Sequence, residues 1–194
     1  ETWISKQTDT SSLSLSKFWT GISVSSTGQY QTAVASNDYI YISSDFGETW
    51  TPKETTTSRI WGAISISSSG KFQTALVNGG FVYTSSDFGQ TWTGRLTDTS
   101  RNWASISLSS SGQYQGALTN VSMFISSDFG VTWQGVSISA SAWRSISLSS
   151  TGQYQSAVAA IGYIYLSSDF GVTWRTNTSL GLQTWRSISL SSSG

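Results

Sequence analysis

The sequence predicts an all-β fold made of repeated four-stranded antiparallel sheets, and two observations indicate it. An eight-residue motif, Ser-x-Asp-x-Gly-x-Thr-Trp, recurs four times, with its closing tryptophans 42, 41 and 41 residues apart. Within each repeat, apolar residues alternate with serine, the period-two pattern of a strand with one buried face. A fixed period near forty residues is typical of repeat architectures, and four strands per repeat without helices is typical of a propeller blade. We therefore expect a β-propeller or an open arc of propeller blades.

Each repeat follows one plan along the chain. A first strand follows a tryptophan, as at Ile64 and Ile66, and a Ser/Thr-Gly turn such as the one at Gly70 ends it. A second strand, a short turn, a third strand, the motif and a fourth strand complete the unit. The predicted segments are a fourth strand of a preceding blade plus a loop at 1–16, blades at 17–58, 59–100, 101–140 and 141–183, and the first strand of a further incomplete blade at 184–194.

The repeated motif supplies the candidate structural residues. Its aspartate can accept hydrogen bonds from backbone N–H groups of its own turn, and its glycine allows a positive φ angle. Its tryptophan re-enters the sheet, so we expect that ring to supply most of the motif's stability. A fifth copy is cut at the chain start, where Glu1, Thr2 and Trp3 match its last three positions. The four complete copies contain Ser43, Asp45, Gly47, Thr49, Trp50, Ser85, Asp87, Gly89, Thr91, Trp92, Ser126, Asp128, Gly130, Thr132, Trp133, Ser167, Asp169, Gly171, Thr173 and Trp174.

This motif resembles the Asp-box of the bacterial neuraminidase repeat (BNR repeat), which occurs in sialidases and in many non-enzymatic β-propellers. The match holds at every defined position in four copies, and the periodic pattern covers essentially the whole chain. The resemblance implies that each box lies at the turn between the third and fourth strands of a blade. It also implies that the box is structural and lies away from any catalytic centre.

The resemblance also says what a sialidase would need. That family uses three arginines on the substrate carboxylate, a tyrosine nucleophile with a glutamate partner, and an aspartic acid. The arginine-rich strand motif that usually precedes the boxes is absent here, and no Tyr–Glu pair stands out among the three glutamates. We therefore expect no catalytic residues in this segment, with a fragment of a sialidase-like glycoside hydrolase as an alternative.

Composition excludes several classes of partner. The net charge is zero and charged residues make up 10% of the chain, so no basic excess is available to bind nucleic acid. The chain has no cysteine and no histidine, which removes thiolate sites and the commonest metal ligand and general base. No apolar run approaches the roughly 18 residues of a membrane-spanning helix. We expect no cofactor, no metal, no nucleic-acid partner and no membrane span.

Repeated ionisable side chains have two interpretations. The box carboxylates could be catalytic acids or calcium ligands, but their identical setting in every repeat favours a structural turn, and a catalytic pair must converge on one substrate. Arginines flank the first-strand tryptophan in four repeats and could form a basic ring; we favour solvated strand ends. These arginines are Arg59, Arg101, Arg144 and Arg186.

The first-strand tryptophans could stack on sugars, but their strict recurrence favours a core between blades. They are Trp19, Trp61, Trp103, Trp143 and Trp185. Repeats differ instead in their connections, so a ligand is expected at the fourth-to-first strand loops (51–60, 93–102, 134–142 and 175–184) and at the short turns between the second and third strands. Two candidate N-glycosylation acceptors, Asn120 and Asn177, fall in these connections.

We therefore expect a non-catalytic scaffold or adhesion module, extracellular or on a surface, that binds protein or glycan through its variable loops. A lectin with one glycan site per blade is an alternative. Because strands with unpaired edges tend to find partners, we also expect either continuation into further blades or self-association. The first residue is not methionine, so we expect a processed product or a piece of a longer polypeptide.

Overall fold

A computed structural model describes residues 17–138 and 142–194; the predicted strand and loop at 1–16 lie outside the described residues, as do residues 139–141. The described residues form β-strands and turns and contain no helix, so none of them belongs to a membrane-spanning helix. Four antiparallel blades follow one another, which confirms the predicted fold class. Their strands are β1 Phe18–Val24, β2 Gln31–Asp38, β3 Ile40–Ser43 and β4 Thr51–Lys53; β5 Arg59–Ile66, β6 Gln73–Val77, β7 Val82–Ser85 and β8 Thr93–Arg95; β9 Trp103–Leu108, β10 Gln115–Thr119, β11 Met123–Ser126 and β12 Gln134–Val136; and β13 Trp143–Leu148, β14 Gln155–Ala159, β16 Ile164–Ser167 and β17 Arg175–Asn177.

Two short strands, β15 Ile161–Gly162 and β18 Gln183–Thr184, pair beside the fourth blade. The sequence predicts a first strand at 184–194, whereas the structure assigns no strand after Thr184. The segment instead lies against β13, because the hydroxyls of Ser145 and Ser147 accept hydrogen bonds from the backbone N–H groups of Ile188 and Leu190, at 3.2 and 3.0 Å. The described residues contain no second strand of the same blade with which this segment could form a β-ladder.

Within a blade the strands run as a simple antiparallel meander, with the first strand innermost. In the third blade the order is β9, β10, β11 and β12, each paired only with its neighbours in sequence. The register shifts at the first-strand tryptophan, for example between Trp61 and Ala63, and a shift of this kind bends the strand end. The first two blades are joined further by pairing of β2 with β5.

The core lies between blades. Apolar residues on one face of a first strand, such as Ile64 and Ile66, are 8% exposed and pack toward the preceding blade. The tryptophans Trp61, Trp103 and Trp143 are 0%, 6% and 1% exposed, and each belongs to a buried cluster. The prediction that the first-strand rings form a core between blades is therefore confirmed for these three, whereas Trp19 is 47% exposed and Trp185 is half-buried.

The box tryptophans are less buried than the sequence predicts. Trp50, Trp92, Trp133 and Trp174 are all half-buried, and three of them pack at the margin of a core cluster. Their indole N–H donates to the carbonyl of the box glycine, as from Trp92 to Gly89 at 2.9 Å. The box ring lies over its own turn, while the first-strand ring fills the space between blades. That the box ring supplies most of the stability of its own motif stays a prediction.

Polar contacts connect successive blades in the same register. At the end of each first strand a serine N–H donates to the equivalent serine carbonyl of the next blade, from Ser26 to Ser68 at 2.9 Å and onward to Ser192. A second contact joins Thr32 to Gln73 and Thr74 to Gln115, at 2.8 and 2.7 Å. The third junction lacks it because glycine stands at the threonine position.

That glycine has a consequence for the fourth blade. Gly116 replaces the hydroxyl that would donate to Gln155, and the buried Oε1 of Gln155 has no hydrogen-bond partner. The space is taken by an aliphatic side chain, since a Cβ on Gly116 would lie 2.6 Å from Cδ1 of Ile146. The third and fourth blades are therefore held together by apolar packing where the earlier pairs use a hydrogen bond.

Candidate functional site

Each Asp-box is a closed network of hydrogen bonds. In the second box, Ser85 donates its hydroxyl to Oδ1 of Asp87 at 2.7 Å and accepts the N–H of Gly89 at 3.0 Å. Thr91 donates its N–H to Oδ1 and its hydroxyl to Oδ2 of the same carboxylate, at 2.9 and 2.5 Å. The other three boxes repeat these contacts within about 0.2 Å. Both carboxylate oxygens are therefore occupied inside the turn.

The residue before the box glycine has a left-handed backbone in every copy. Phe46, Phe88, Phe129 and Phe170 have φ between 61° and 63°, and the glycine that follows each has a φ of 79° to 86°. Left-handed backbone is unfavourable for a residue with a large side chain, so tertiary contacts must compensate. In the second to fourth blades the phenylalanine ring packs on an aromatic ring of the preceding blade, as Phe129 does on Phe72 with ring centroids 4.4 Å apart, whereas Phe46 is 64% exposed.

The hydrogen bonds also lower the pKa of the box carboxyls. Thr49 and Ser43 hold the pKa of Asp45 down at about 2, and the bonds from Thr173 lower that of Asp169. At Asp87 and Asp128 partial burial raises the pKa, but the threonine and serine bonds outweigh it and the net shift is again downward. A carboxyl with a lowered pKa is a poor general acid at neutral pH.

Acidification is expected to weaken the fold between about pH 4 and pH 2. The folded-state pKa of each box carboxyl lies below its ordinary value of about 3.9. The carboxylates therefore contribute stability that is fully present above that value and is lost as the pH falls through the folded pKa. The measurement is the urea midpoint of unfolding across this range, for the wild type and for Asp87→Asn. The variant should lose part of the acid dependence; curves that fall in parallel would contradict the prediction.

The turns of the blades divide between two faces. The first-to-second strand turns and the boxes share one end, where the N–H of Phe88 donates to the carbonyl of Lys71 at 3.1 Å; we call this end the box face. The second-to-third strand turns and the fourth-to-first strand loops share the opposite end, where the N–H of Arg101 donates to the carbonyl of Gly80 at 2.9 Å; we call it the loop face. The connections that differ most between the repeats lie on the loop face.

The recurring arginines do not behave as one group. Arg59 is mostly buried, pairs with Glu54 at 3.3 Å and lies over the ring of Tyr83. Arg101 pairs with Asp98 at 2.7 Å and lies over Phe124. The expectation of solvated strand ends is wrong for these two, because an acid in the same loop and a ring of the same blade hold each guanidinium.

Two arginines remain exposed. Arg144 and Arg186 follow their tryptophans directly, at equivalent positions of successive first-strand segments, and both are exposed. Neither side chain has a hydrogen-bond or ion-pair partner among residues 17–138 and 142–194, so here the expected solvated strand ends agree with the structure. The sequence signal that separates the two pairs is spacing: Arg59 and Arg101 stand two residues before the tryptophan, and an acid precedes each in its loop.

Both glycosylation candidates lie on the loop face. Asn120 is exposed in the turn between β10 and β11, while Asn177 is half-buried at the end of β17. Oδ1 of Asn177 accepts the N–H and the hydroxyl of Ser179, at 3.0 and 2.6 Å. Among the described residues no cluster of three or more histidine, cysteine, aspartate or glutamate side chains could hold a metal ion.

A shallow groove crosses the inner strands near the box face. Its walls are serines and aliphatic residues from each blade, including Ser68, Ser110, Ser150, Ile66 and Leu148. The serine backbone groups are already used in bonds between blades. The groove contains no ionisable side chain, so it offers no acid or base for catalysis.

Comparison with known proteins agrees with the geometry of the boxes. The BNR/Asp-box repeat family matches residues 41–52, and the related BNR-Asp box repeat family matches residues 82–94. Both matches fall on a third strand, its box and the start of the fourth strand. The chain therefore contains BNR/Asp-box repeats, and its fold is that of propeller blades. No protein of curated function matches the sequence significantly.

Solved structures of similar fold include enzymes and a peptide-binding protein. An ancestral GH74 enzyme has a TM-score of 0.65 at 17% identity over 87% of this chain and 26% of its own. A GH74 enzyme of Niastella koreensis has a TM-score of 0.64 at 18% identity over 81% and 24%. YCF48 bound to D1 peptide has a TM-score of 0.60 at 17% identity over 84% and 54%. The chain thus spans about a quarter of the GH74 enzymes and about half of this YCF48 chain.

Proposed function

We propose that this chain is a non-catalytic scaffold that binds a protein or glycan partner through the loop face of its blades. The observation that carries the proposal is that the box aspartates and two of the four recurring arginines are used within the framework. Box aspartates such as Asp87 are occupied by their own turns, and Arg59 and Arg101 by acids of their own loops. The connections of the loop face differ most between the repeats, and variable loops on a rigid scaffold are a common basis of binding.

One similar structure supports a binding role. YCF48 bound to D1 peptide shares the fold over 84% of this chain. At 17% identity that likeness concerns the fold alone, so the ligand of this chain has to be argued from its own residues.

The test of the proposal has two parts. We expect no turnover of a fluorogenic sialoside by the purified chain, with an active sialidase as the positive control. We also expect a ligand selected from peptide and glycan arrays to lose binding when the 96–100 or 178–182 loop is replaced by the 54–58 loop. Turnover by the chain, or ligand binding that survives every loop replacement, would contradict a non-catalytic scaffold that acts through its loop face.

A glycoside hydrolase segment is the second candidate function. Two of the similar structures are GH74 enzymes, of which this chain covers 26% and 24%. In that case the catalytic residues would belong to other blades of a longer polypeptide. Activity of a longer polypeptide that contains this segment, with loss of that activity on carboxylate substitution in the added blades, would favour this candidate over the scaffold.

We further propose that another blade of the same type covers the outer face of β1. Ile22 and Val24 are 61% and 48% exposed, whereas the equivalent Ile64 and Ile66 are 8% exposed because the first blade covers them. Trp19 is 47% exposed at a position where later blades bury their tryptophan. The covering blade would come from the same polypeptide or from a second copy of the chain.

Sedimentation separates the two sources. Residues 1–194 should associate in a concentration-dependent manner, and Ile22→Ser combined with Val24→Ser should weaken the association; Val121→Ser, at another exposed site, is the control. A monomer at every concentration would exclude the second copy.

An extracellular or surface location belongs to the same proposal. It is supported by the position of Asn120, an acceptor in an exposed turn. Expression through a eukaryotic secretory pathway should give a product whose mass falls on treatment with an N-glycosidase, and Asn120→Gln should abolish most of that change. An unmodified wild-type product would remove this support.

A further inference from the structure

The loop face of the fourth blade exposes three aliphatic residues. Ile161, Leu180 and Leu182 are 74%, 57% and 63% exposed. Ile161 pairs with Thr184 across the two-stranded β15–β18 ribbon. Leu182 and Arg186 lie just outside the two ends of β18, close along the chain to that pair. We call these residues, with Leu180 and Arg144, the blade-four patch.

The exposure of this patch follows from its position in the repeat. The residues equivalent to Ile161 in the first three blades are Asn37, Gly79 and Val121, and all are exposed although a further blade follows each. Leu180 and Leu182 stand five and three residues before their tryptophan, where the second blade has the exposed Thr56 and Ser58. A neighbouring blade therefore leaves this surface open; the third blade exposes one aliphatic residue there, Val121, whereas the fourth blade exposes three.

The patch is also positively charged without internal neutralisation. The N–H of Ala160 donates to the carbonyl of Ala142 at 2.7 Å, and the carbonyl of Ala160 accepts the N–H of Trp185 at 3.1 Å. Arg144 and Arg186 therefore lie on the two segments that flank Ala160. On the second and third blades, by contrast, the arginine before the first-strand tryptophan has an acid beside it, Arg59 with Glu54 and Arg101 with Asp98.

Acidic residues are nearly absent from this part of the chain. Asp169 is the only aspartate or glutamate after residue 128, and it lies in a box on the opposite face with both oxygens occupied. Exposed aliphatic side chains beside two guanidinium groups complement a ligand with apolar groups and carboxylates. Arginine is moreover enriched among the residues that dominate protein interfaces.

We propose that the blade-four patch binds a peptide segment of a partner protein in which aliphatic side chains alternate with aspartate or glutamate. The inference rests on the proposed binding function and names the kind of ligand and its site. A peptide fits better than a glycan because the patch offers aliphatic surface and hydrogen-bond donors. Sugar hydroxyls need both donors and acceptors, and each buried hydroxyl without a partner costs affinity.

The test uses three short fluorescein-labelled peptides of defined composition. One alternates Asp with Leu, one alternates Lys with Leu, and one alternates Asp with Ser. Fluorescence anisotropy should show binding of the Asp/Leu peptide at least about tenfold tighter than of either other peptide, a difference of about 1.4 kcal/mol. Binding should weaken as salt rises, because the arginines are exposed.

Two double variants remove the two properties of the patch separately. Arg144→Ser with Arg186→Ser removes the charge, and Ile161→Asn with Leu182→Ser installs the residue types found at the equivalent positions Asn37 and Ser58. Each should weaken binding of the Asp/Leu peptide about tenfold or more, since hot-spot residues carry most of an interface's affinity. All four positions are exposed, so the fold should survive, and an unchanged melting temperature verifies it.

The matched controls lie on the same blade away from the patch. Arg175→Ser removes an exposed arginine from the outer strand, and Val172→Ser an exposed apolar residue from the box face. Both should leave peptide affinity unchanged. Affinity that is insensitive to the patch variants, failure of the Asp/Leu peptide to bind, or binding of acidic oligosaccharides alone would each overturn the inference. If loop replacements elsewhere on the loop face abolish ligand binding, the broader scaffold proposal still holds.

Discussion

Replacing Trp61 by alanine is expected to lower the free energy of unfolding by about 3–5 kcal/mol, the usual cost of truncating a buried aromatic residue. The ring is 0% exposed and packs edge-on against Tyr83, with centroids 5.3 Å apart. Its indole N–H donates to the carbonyl of Asp38 in the preceding blade at 3.1 Å. The substitution therefore removes a packed ring and a hydrogen bond at one junction between blades. Urea unfolding followed by tryptophan fluorescence measures the loss.

Trp92→Ala is the matched control. This box tryptophan packs at the margin of the same cluster but is half-buried, and its N–H bonds to its own turn. Its removal should cost about 1–3 kcal/mol, the range of an ordinary destabilising substitution. A larger loss for Trp92→Ala than for Trp61→Ala would contradict the assignment of the main core to the space between blades.

The sequence could not rank the two tryptophans, because both recur with the same period. Periodicity identifies framework residues, and it predicts the four-stranded blades, the boxes and the core between blades correctly. It does not say which of two recurring rings faces the neighbouring blade. That depends on how the strands stack, and stacking involves residues far apart in sequence, such as Trp61 and Asp38, which are 23 positions apart.

For a related reason, sequence periodicity does not predict the left-handed backbone of the box phenylalanines. Local propensity assigns positive φ to glycine, and the preceding position was treated as variable. Yet phenylalanine occupies it in all four copies, which was a usable signal. Packing of the phenylalanine ring on a ring of the preceding blade compensates for the strained backbone, as Phe170 packs on Tyr114 with centroids 4.5 Å apart. Such a contact is visible only once the blades are placed side by side.

The recurrence of an arginine in four repeats does not predict which of these arginines pairs with an acid. Arg59 and Arg186 both flank a first-strand tryptophan, yet one is mostly buried and paired while the other is exposed. The difference lies in Glu54, an acid in the same loop, which the fourth blade does not have at its equivalent loop. The blade-four patch follows from comparing the repeats with one another in this way.

Gly112→Ala is expected to cost about 2–5 kcal/mol and to act through the junction between the second and third blades. Gly112 has a φ of 80°, and a side chain in this region costs about 1–2 kcal/mol. An added Cβ would also lie 2.6 Å from Cβ of Phe72 and 3.1 Å from its Cγ. Because Cβ of Phe72 is fixed by its backbone, the blades must move apart, and overpacking of this kind costs about 1–3 kcal/mol more.

Gly28→Ala separates the two contributions. Gly28 occupies the same turn of the first blade with a φ of 79°, but the nearest atom to an added Cβ is Cδ1 of Phe46 at 3.9 Å. This variant keeps the backbone strain and lacks the collision, so it should cost only about 1–2 kcal/mol. Equal losses in the two variants, measured by urea unfolding, would mean that the junction yields freely to an extra methyl group. In that case the close contact between blades would contribute little, and most of the stability would come from interactions within single blades. The full burial of Trp61 between blades argues against that outcome.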